Sequence, residues 1–462
     1  MTFLPVSGRD GRKLRRSYRS PLLCKHNDDG DRDGGASFPG AVFNLSTTIV
    51  GAGIMAIPVA VKVLGLLPGL AIIPLAAFLT HASIDMILRA GRPSATSDKP
   101  ANPVANSYAA IVGDALGAPG GTLLQSCIIL NNLGMLVVYM IIIGDVLSGT
   151  SVSGAEHHTG VLERWFGQQW WTERAFLLLT TTIFVFAPLI SLKRVDSLRY
   201  SSALSVALAV VFVVVMAGIA IAKMVEGSIG MPRLLPQVSD LASFWKLFTT
   251  VPILVTAYIC HFSVHPIENE LKEPGQMRSI VQVSLALCSV VYVATGLFGF
   301  LLFGEATMDD VLANFDADLG FGTAINDVVR LSYATHLMLV FPIVFYSLRL
   351  NLDGLLFPRA AVPIAYDDGR FAFLTYGVML LVFMGANLVP SIWVAFQFTG
   401  ATASVAVGFV FPALIALRDV HGVATRKDRA LAWVMILLAM SSSSAAIYSN
   451  ICDMFIDSSS AR

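Results

Sequence analysis

Residues 43–58 read FNLSTTIVGAGIMAIP and lie inside the uncharged run 36–61, which is long enough to cross a bilayer as a helix. The centre of this run is Gly51-Ala52-Gly53, and Pro58 follows it. Glycine weakens a helix through backbone entropy, and proline removes a backbone donor. Interrupted backbone at membrane depth is tolerated where it lines a cavity or is buried in protein. We therefore predict a broken membrane helix here.

A helix broken in this way predicts a site for an anion. A half-helix that begins near Ala52 directs unpaired N–H groups and a partial positive charge towards the break, which suits a carboxylate. The alternative interpretation is that the small residues only allow two helices to approach closely. The stretch by itself leaves both interpretations open.

The composition predicts a polytopic membrane protein whose partner is the lipid bilayer. Of 462 residues, 55% are hydrophobic and 13% are charged, with a mean hydropathy of +0.70, whereas soluble domains have about 25% charged residues. The net charge of zero indicates no nucleic-acid partner. The five cysteines are scattered without a CxxC pair, so we expect no metal site other than one for sodium.

Apolar segments predict eleven membrane helices. They are residues 36–61, 63–84, 115–144, 175–192, 201–222, 247–267, 279–304, 331–348, two helices within 371–417 joined by a hairpin at 387–391, and 430–452. Residues 1–35 are polar and basic, and we expect a disordered tail. With the tail inside, 23 of the 31 Lys and Arg residues lie on the inner side. The bias predicts a cytosolic N-terminus and a luminal or extracellular C-terminus.

A second membrane segment also has an unusual pattern. Residues 251–268 read VPILVTAYICHFSVHPIE, so that Pro252 and Pro266 enclose a polar centre with His261 and His265. This sixth span occupies the same place in the second set of five helices as the first span does in the first set. A pair of interrupted segments at matching positions predicts an inverted-repeat transporter. The alternative is that each proline is an ordinary helix kink.

These residues resemble a known family. Residues 43–54 are similar to the first helix of the amino acid/auxin permease family, which includes the sodium-coupled neutral amino acid transporters. The resemblance spans about 41–417 and includes Asn131-Asn132, Cys260-His261, Pro266-Ile267 and the FTGAT motif at 398–402. It is strongest to the plant-type vacuolar amino acid exporters.

The resemblance implies a fold and a division of the chain. The fold is an all-α integral membrane protein with a LeuT-like 5+5 inverted repeat and an eleventh transmembrane helix. We expect a cytosolic tail at 1–35, the first repeat at 36–223, the second repeat at 224–417, and the eleventh helix with a short C-terminus at 418–462.

The family implies an amino acid as substrate. Its carboxylate suits the N–H groups of the first break, and its ammonium group requires unwound carbonyls near both breaks. The expected substrate-binding residues are Val50, Gly51, Ala52, Gly53, Ile54, Asn132, Thr256, Tyr258, Ile259 and His261. A buried Asn more often joins two helices, so a structural role for Asn132 stays open.

The coupling ion has two candidates, H+ and Na+. Sodium-coupled relatives have an Asn where this chain has Thr47, and their hydroxyl ligand in span 8 matches Ser332 or Thr335. The Thr47 difference argues against sodium. Intramembrane histidines such as His261 and His336 suit a proton, because histidine titrates near neutral pH. The alternative is that each is a neutral ring bonded to a neighbour's backbone.

The expected function is amino acid transport by alternating access, secondary active or facilitative, in a monomer. The alternative is a membrane amino acid sensor (transceptor) in the same fold. Neither an HExxH nor a Walker motif occurs, which argues against a metalloprotease-type enzyme and an ATP-driven pump. The resemblance favours the vacuole or another endomembrane over the plasma membrane.

Overall fold

The computed structural model describes residues 35–92, 107–150, 158–308, 310–316, 322–388 and 399–460. The predicted tail, apart from residue 35, and residues 389–391 of the hairpin predicted at 387–391 lie outside the described residues. The helices in chain order are α1 (Phe38–Ile49), α2 (Ile57–Leu64), α3 (Leu66–Ala90), α4 (Tyr108–Leu116), α5 (Ala118–Ser148), α6 (Val161–Phe166), α7 (Arg174–Thr181), α8 (Ala187–Ile190), α9 (Arg199–Val225), α10 (Leu241–Lys246), α11 (Thr250–Tyr258), α12 (His261–Glu268), α13 (Met277–Phe303), α14 (Thr323–Leu356), α15 (Asp368–Leu388), α16 (Phe411–Arg418) and α17 (Arg426–Ser460).

Short irregular helices join several of these elements. The 3₁₀ turns are Ala52–Ala56, Asp196–Leu198, Leu247–Thr249, Pro274–Gln276, Gly304–Ala306, Ala313–Asp316 and Ile364–Tyr366. The π-helical segments are Thr182–Phe186, Thr399–Ser404 and Ala406–Val410. Two strands of two residues each, β1 (Gly149–Thr150) and β2 (His158–Thr159), pair antiparallel with Gly149 opposite Thr159.

The described part of the chain confirms a multi-pass helical membrane protein. Seven of its helices are long and apolar enough to cross a bilayer, and the bent pair α1 and α2 forms an eighth span. Two shorter apolar helices, Arg174–Ile190 and Thr402–Arg418, stand at predicted spans 4 and 10. Since α17 stands at span 11, helices occur at each predicted position.

Helix α14, which is span 8, packs against α5 and α9 in the middle of the bundle. At its predicted cytosolic end Arg349 is 1% exposed. The guanidinium donates to the carbonyl oxygens of Ile190 at 2.7 Å and Leu192 at 3.1 Å, and it lies 4.2 Å from the Phe371 ring centre. A buried cation therefore joins spans 4, 8 and 9 through carbonyl dipoles at the end of α8.

Both predicted interruptions are present. Span 1 ends its first half at Ile49, restarts as a 3₁₀ turn at Ala52, and changes direction by 49°. Span 6 ends its first half, α11, at Tyr258 and restarts as α12 at His261. Ile259 is extended, with φ −66° and ψ 113°, so the helical hydrogen-bond pattern stops there.

Candidate functional site

The two breaks lie in direct contact. A Cβ atom added to Gly53 would come within 2.6 Å of the Ala257 Cα atom in α11. A Cβ added to Gly51 would come within 2.3 Å of the Tyr139 hydroxyl from α5. Glycine is therefore required in span 1 because backbone and side chains of other spans approach too closely for any side chain. Spans 1, 3 and 6 meet at this point, as the sequence predicted for span 1 and span 6.

Tyrosines from two other spans bind the carbonyl groups at the breaks. The Tyr292 hydroxyl in α13 lies 2.7 Å from both the Ile49 and the Ala257 carbonyl oxygens. The Tyr333 hydroxyl in α14 donates to the Gly51 carbonyl at 3.2 Å. The Ile49 and Gly51 carbonyls also accept from the Gly51 N–H at 3.0 Å and the Ile54 N–H at 3.3 Å, so the tyrosine hydroxyls add donors from other spans to the carbonyls at the breaks.

Sequence reasoning missed both of these tyrosines. The available signal was the residue type itself, because a tyrosine inside an otherwise apolar span requires a partner for its hydroxyl. Tyr258, which was predicted as a substrate residue, hydrogen-bonds instead to Ser289 in α13 at 2.9 Å. Its hydroxyl is therefore directed towards span 7.

The expected N–H donors of span 1 are only partly free. The Ile54 N–H donates to the Gly51 carbonyl at 3.3 Å within the 3₁₀ turn. The Ala52 backbone interacts with the Tyr139 hydroxyl. A carboxylate at the break would therefore compete with Tyr139 for the Ala52 donor.

Polar side chains from spans 3, 6 and 10 form a second part of the site. Asn131 donates to the Asn132 side-chain oxygen at 2.9 Å, and Ser404 donates to the Asn131 oxygen at 2.6 Å. Within the part of the chain that the structure describes, Asn132 Nδ2 and Thr256 Oγ1 are buried without a hydrogen-bond partner. Such unpaired groups are costly, so a polar ligand group that binds them would be stabilised.

The predicted histidines are bonded to neighbouring spans. His261 Nε2 lies 2.7 Å from the Ser83 hydroxyl in α3, and Ser83 donates in turn to the Thr80 carbonyl. The ring is therefore the donor to Ser83, and within the described residues its Nδ1 has no partner. The partner is a side-chain hydroxyl, whereas the structural alternative for His261 was a bond to a neighbour's backbone.

His336 connects span 8 with span 5 and, through Tyr333, with the first break. Its Nδ1 lies 2.8 Å from the Ser205 carbonyl and 2.9 Å from the Ser205 hydroxyl in α9. Its Nε2 is buried and has no hydrogen-bond partner among the described residues, and the ring stacks 5.5 Å from the Tyr333 ring. His336 is fully buried, so it reaches the break without contact with solvent.

The hydroxyl residues considered for sodium are Thr47 in span 1 and either Ser332 or Thr335 in span 8. Thr47 donates to the Ser202 carbonyl at 2.9 Å, and Ser332 donates to the Val329 carbonyl of its own helix at 2.9 Å. Thr335 is exposed, whereas Thr47 is fully buried. Among the described residues, no group of three or more His, Cys, Asp or Glu side chains is placed to hold a metal ion.

Charged residues form networks at both ends of the bundle. At the predicted cytosolic end, Asp85 pairs with Arg89 at 3.0 Å and with Arg278 at 3.1 Å, and Arg89 pairs with Asp428 at 2.9 Å. The hydrogen bond from Arg89 lowers the pKa of Asp428 to about 2. These pairs join spans 2 and 7 to the start of α17.

At the other end, Asp327 accepts from Arg164 at 2.8 Å and from the Trp165 indole at 2.9 Å. The breaks lie between the two networks and are nearly inaccessible, with Val50 2% exposed and Cys260 fully buried. The site is therefore closed towards both ends.

Comparisons with known proteins agree with this geometry. The family model described as transmembrane amino acid transporter protein matches residues 34–451. The amino acid transporter AVT6A of Arabidopsis thaliana is 55% identical, over 98% of this chain and 97% of that protein. Solute carrier family 38 member 10 of Mus musculus is 27% identical, over 81% of this chain and 33% of that protein.

A solved structure shares the fold. The crystal structure of a point mutant of the Eremococcus coleocola manganese transporter aligns with a TM-score of 0.54 at 12% sequence identity, over 90% of this chain and 87% of that chain. At this identity the likeness concerns the LeuT-like architecture alone.

Proposed function

This chain belongs to the transmembrane amino acid transporter protein family, and we propose that it moves amino acids by alternating access, with the substrate bound between the breaks of spans 1 and 6. The observation that supports this most directly is the contact of the two breaks, where Gly53 lies against Ala257 and the Tyr292 hydroxyl lies 2.7 Å from both the Ile49 and the Ala257 carbonyl oxygens. Two half-helices that meet at one point allow a small zwitterion to contact both.

The chemistry of an amino acid fits the described groups. The carboxylate would bind the backbone N–H groups of Ala52 and Gly53 at the start of the 3₁₀ turn, where the partial charge is positive. The ammonium group would bind carbonyl oxygens near Val50 and Ile259. The substrate side chain would face the unpaired Asn132 and Thr256 groups, which favours a side chain with a polar group.

A proton is the coupling ion that the geometry supports better. Thr335 is exposed, and Thr47 supplies one hydroxyl oxygen where the sodium-coupled relatives have the stronger amide carbonyl of an Asn. His336 bonds to Ser205 in span 5 and stacks on Tyr333, whose hydroxyl donates to the Gly51 carbonyl, so a change in its protonation would act on the first break through Tyr333. We expect His336 to be the protonated group, with the tail in the cytosol and the protein in the vacuole or another endomembrane.

The experiment is uptake of radiolabelled amino acids into liposomes that contain the purified protein, with sodium and pH gradients imposed separately. We expect uptake to respond to the pH gradient and not to sodium. His336→Gln should abolish this response while exchange of labelled for unlabelled substrate continues. His421→Gln, at the predicted cytosolic end, is the matched control.

Each outcome has a clear meaning. A sodium response without a pH response would contradict proton coupling. Uptake that needs neither gradient would indicate a facilitator. Substrate binding without flux under any gradient would reject transport and favour a sensor.

A further inference from the structure

At the predicted cytosolic end, the loop after α12 holds the turn that precedes α9. The two carboxylate oxygens of Glu270 accept separately, one from the Val195 N–H at 2.9 Å and the other from the Asp196 N–H at 2.8 Å. Asp196 begins the 3₁₀ turn that leads into α9, so these N–H groups have no acceptor in the helix itself. Glu270 thus joins the second half of span 6 to the start of span 5.

The first half of span 1 holds the same turn. Asn44 in α1 donates to the Val195 carbonyl at 3.1 Å, and Thr47 donates to the Ser202 carbonyl at 2.9 Å. Both peptide groups of Val195 are therefore bonded, its N–H by span 6 and its C=O by span 1. The two half-helices on this side of the breaks converge on one segment of the bundle.

Backbone contacts add the start of span 1 to this arrangement. The Ala36 N–H donates to the Glu270 carbonyl at 2.7 Å, and the Lys272 N–H donates to the Ala36 carbonyl at 3.3 Å. The Glu270 side chain is 16% exposed and lies 4.0 Å from Arg194. It also interacts with the Tyr346 hydroxyl in α14. The Glu270 side chain thus contacts the start of span 5 and span 8, and its backbone carbonyl accepts from the segment that leads into span 1.

We propose that Glu270 is a positioning residue that keeps the predicted cytosolic end closed. For a substrate at the breaks to leave at this end, α1 and α12 must separate from α9, and the bonds from Glu270 to Val195 and Asp196 must break. The inference rests on the proposed alternating-access function. The inference adds to that function a residue, Glu270, that contacts no substrate but determines how readily the predicted cytosolic end opens.

Two native thiols report the opening. Cys260 lies at the break of span 6 and Cys288 lies on α13, and both are fully buried in the closed structure. A membrane-impermeant methanethiosulfonate reagent would be added to either side of proteoliposomes, with modification of the Cys260 peptide followed by mass spectrometry. Glu270→Ala removes both acceptors, whereas Glu270→Gln retains one.

We expect Glu270→Ala to raise the labelling rate of Cys260 from the predicted cytosolic side about tenfold or more, since each lost hydrogen bond shifts the closed-to-open ratio severalfold. Glu270→Gln should give a smaller increase. Glu273→Ala is the matched control, because Glu273 lies in the same loop, is exposed, and bonds Gln276 at 2.8 Å. It should label as the wild type does.

Three results would overturn the proposal: wild-type labelling in monodisperse Glu270→Ala, an equal increase in Glu273→Ala, or an increase from the opposite side only. If Glu270→Ala does not fold, the Glu270→Gln variant decides. Flux is measured in the same liposomes. If amino acid flux is observed but Glu270→Ala leaves Cys260 labelling unchanged, only the proposed role of Glu270 is rejected. If Cys260 labelling rises from Glu270→Gln to Glu270→Ala but no flux is observed, transport is rejected and the closing role of Glu270 stands.

Discussion

Spans 1 and 6 are both interrupted, but by different means. Span 1 has glycine at 51 and 53 and bends by 49°. Span 6 is interrupted at Ile259 and Cys260, residue types with no special backbone freedom. The glycines belong to the first break, whereas the second break has none within it.

The prolines of span 6 do not coincide with its break. Pro252 lies near the start of α11 and Pro266 lies inside α12. The break between them is where span 1 and α13 make contact, through Gly53 against Ala257 and through the Tyr292 hydroxyl. We infer that span 1 is broken by its own sequence and that span 6 is broken where its neighbours hold it.

The largest expected effect tests the glycine contact. Gly53→Ala places a Cβ 2.6 Å from the Ala257 Cα, and the backbone cannot yield as a flexible side chain would, so we expect uptake to fall to about a tenth or less. Gly218→Ala in α9, where a Cβ meets nothing within 4 Å, should leave uptake near the wild-type value. Equal loss in both variants would remove the argument for a special contact.

The next effect tests the tyrosine that joins the breaks. Tyr292→Phe removes the one hydroxyl proton that the Ile49 and Ala257 carbonyls share. Ile49 keeps the Gly51 N–H as a donor, so the loss falls on Ala257, at a cost of about 1–3 kcal/mol for a buried unsatisfied group. We expect a melting temperature lower by about 5 °C and weaker substrate binding, measured by thermal unfolding with and without amino acid. Tyr366→Phe, at an exposed tyrosine, serves as control, and a matching shift there would contradict the joining role.

A smaller effect is expected at the break of span 6 itself. Cys260→Ala changes a buried side chain but imposes no new backbone demand, so uptake should remain within about threefold of wild type. The measurement is the same flux assay as for Gly53→Ala. A loss as severe as in Gly53→Ala would show that the second break depends on its own residues.

The smallest effect is expected at Pro266. If neighbouring spans set the position of the break in span 6, Pro266→Ala restores one backbone N–H in α12 and leaves the break where it is. Uptake should then change by less than about twofold. Labelling of Cys260 should also stay at the wild-type rate. If this substitution abolished uptake, Pro266 itself would be the cause of the break in span 6.

The contacts that sequence reasoning missed share one property. Tyr292 bonds to residues 243 and 35 positions away, and His261 bonds to Ser83 across 178 positions. Such partners are fixed by packing and leave no periodic pattern in the chain. Thr335 shows that residue type alone does not give a side chain's position in the packed bundle. Its hydroxyl suited a sodium ligand, but its position on α14 is exposed.

The sequence by itself determined the membrane spans, the first break and the family resemblance, because hydropathy and glycine content act over a few neighbouring residues. The tertiary structure alone decided where span 6 stops, which donors bind the open carbonyls, and how Val195 is held from both sides by Asn44 and Glu270. The physical reason is that a hydrogen bond between distant segments forms only after the helices that bear its donor and acceptor have packed together.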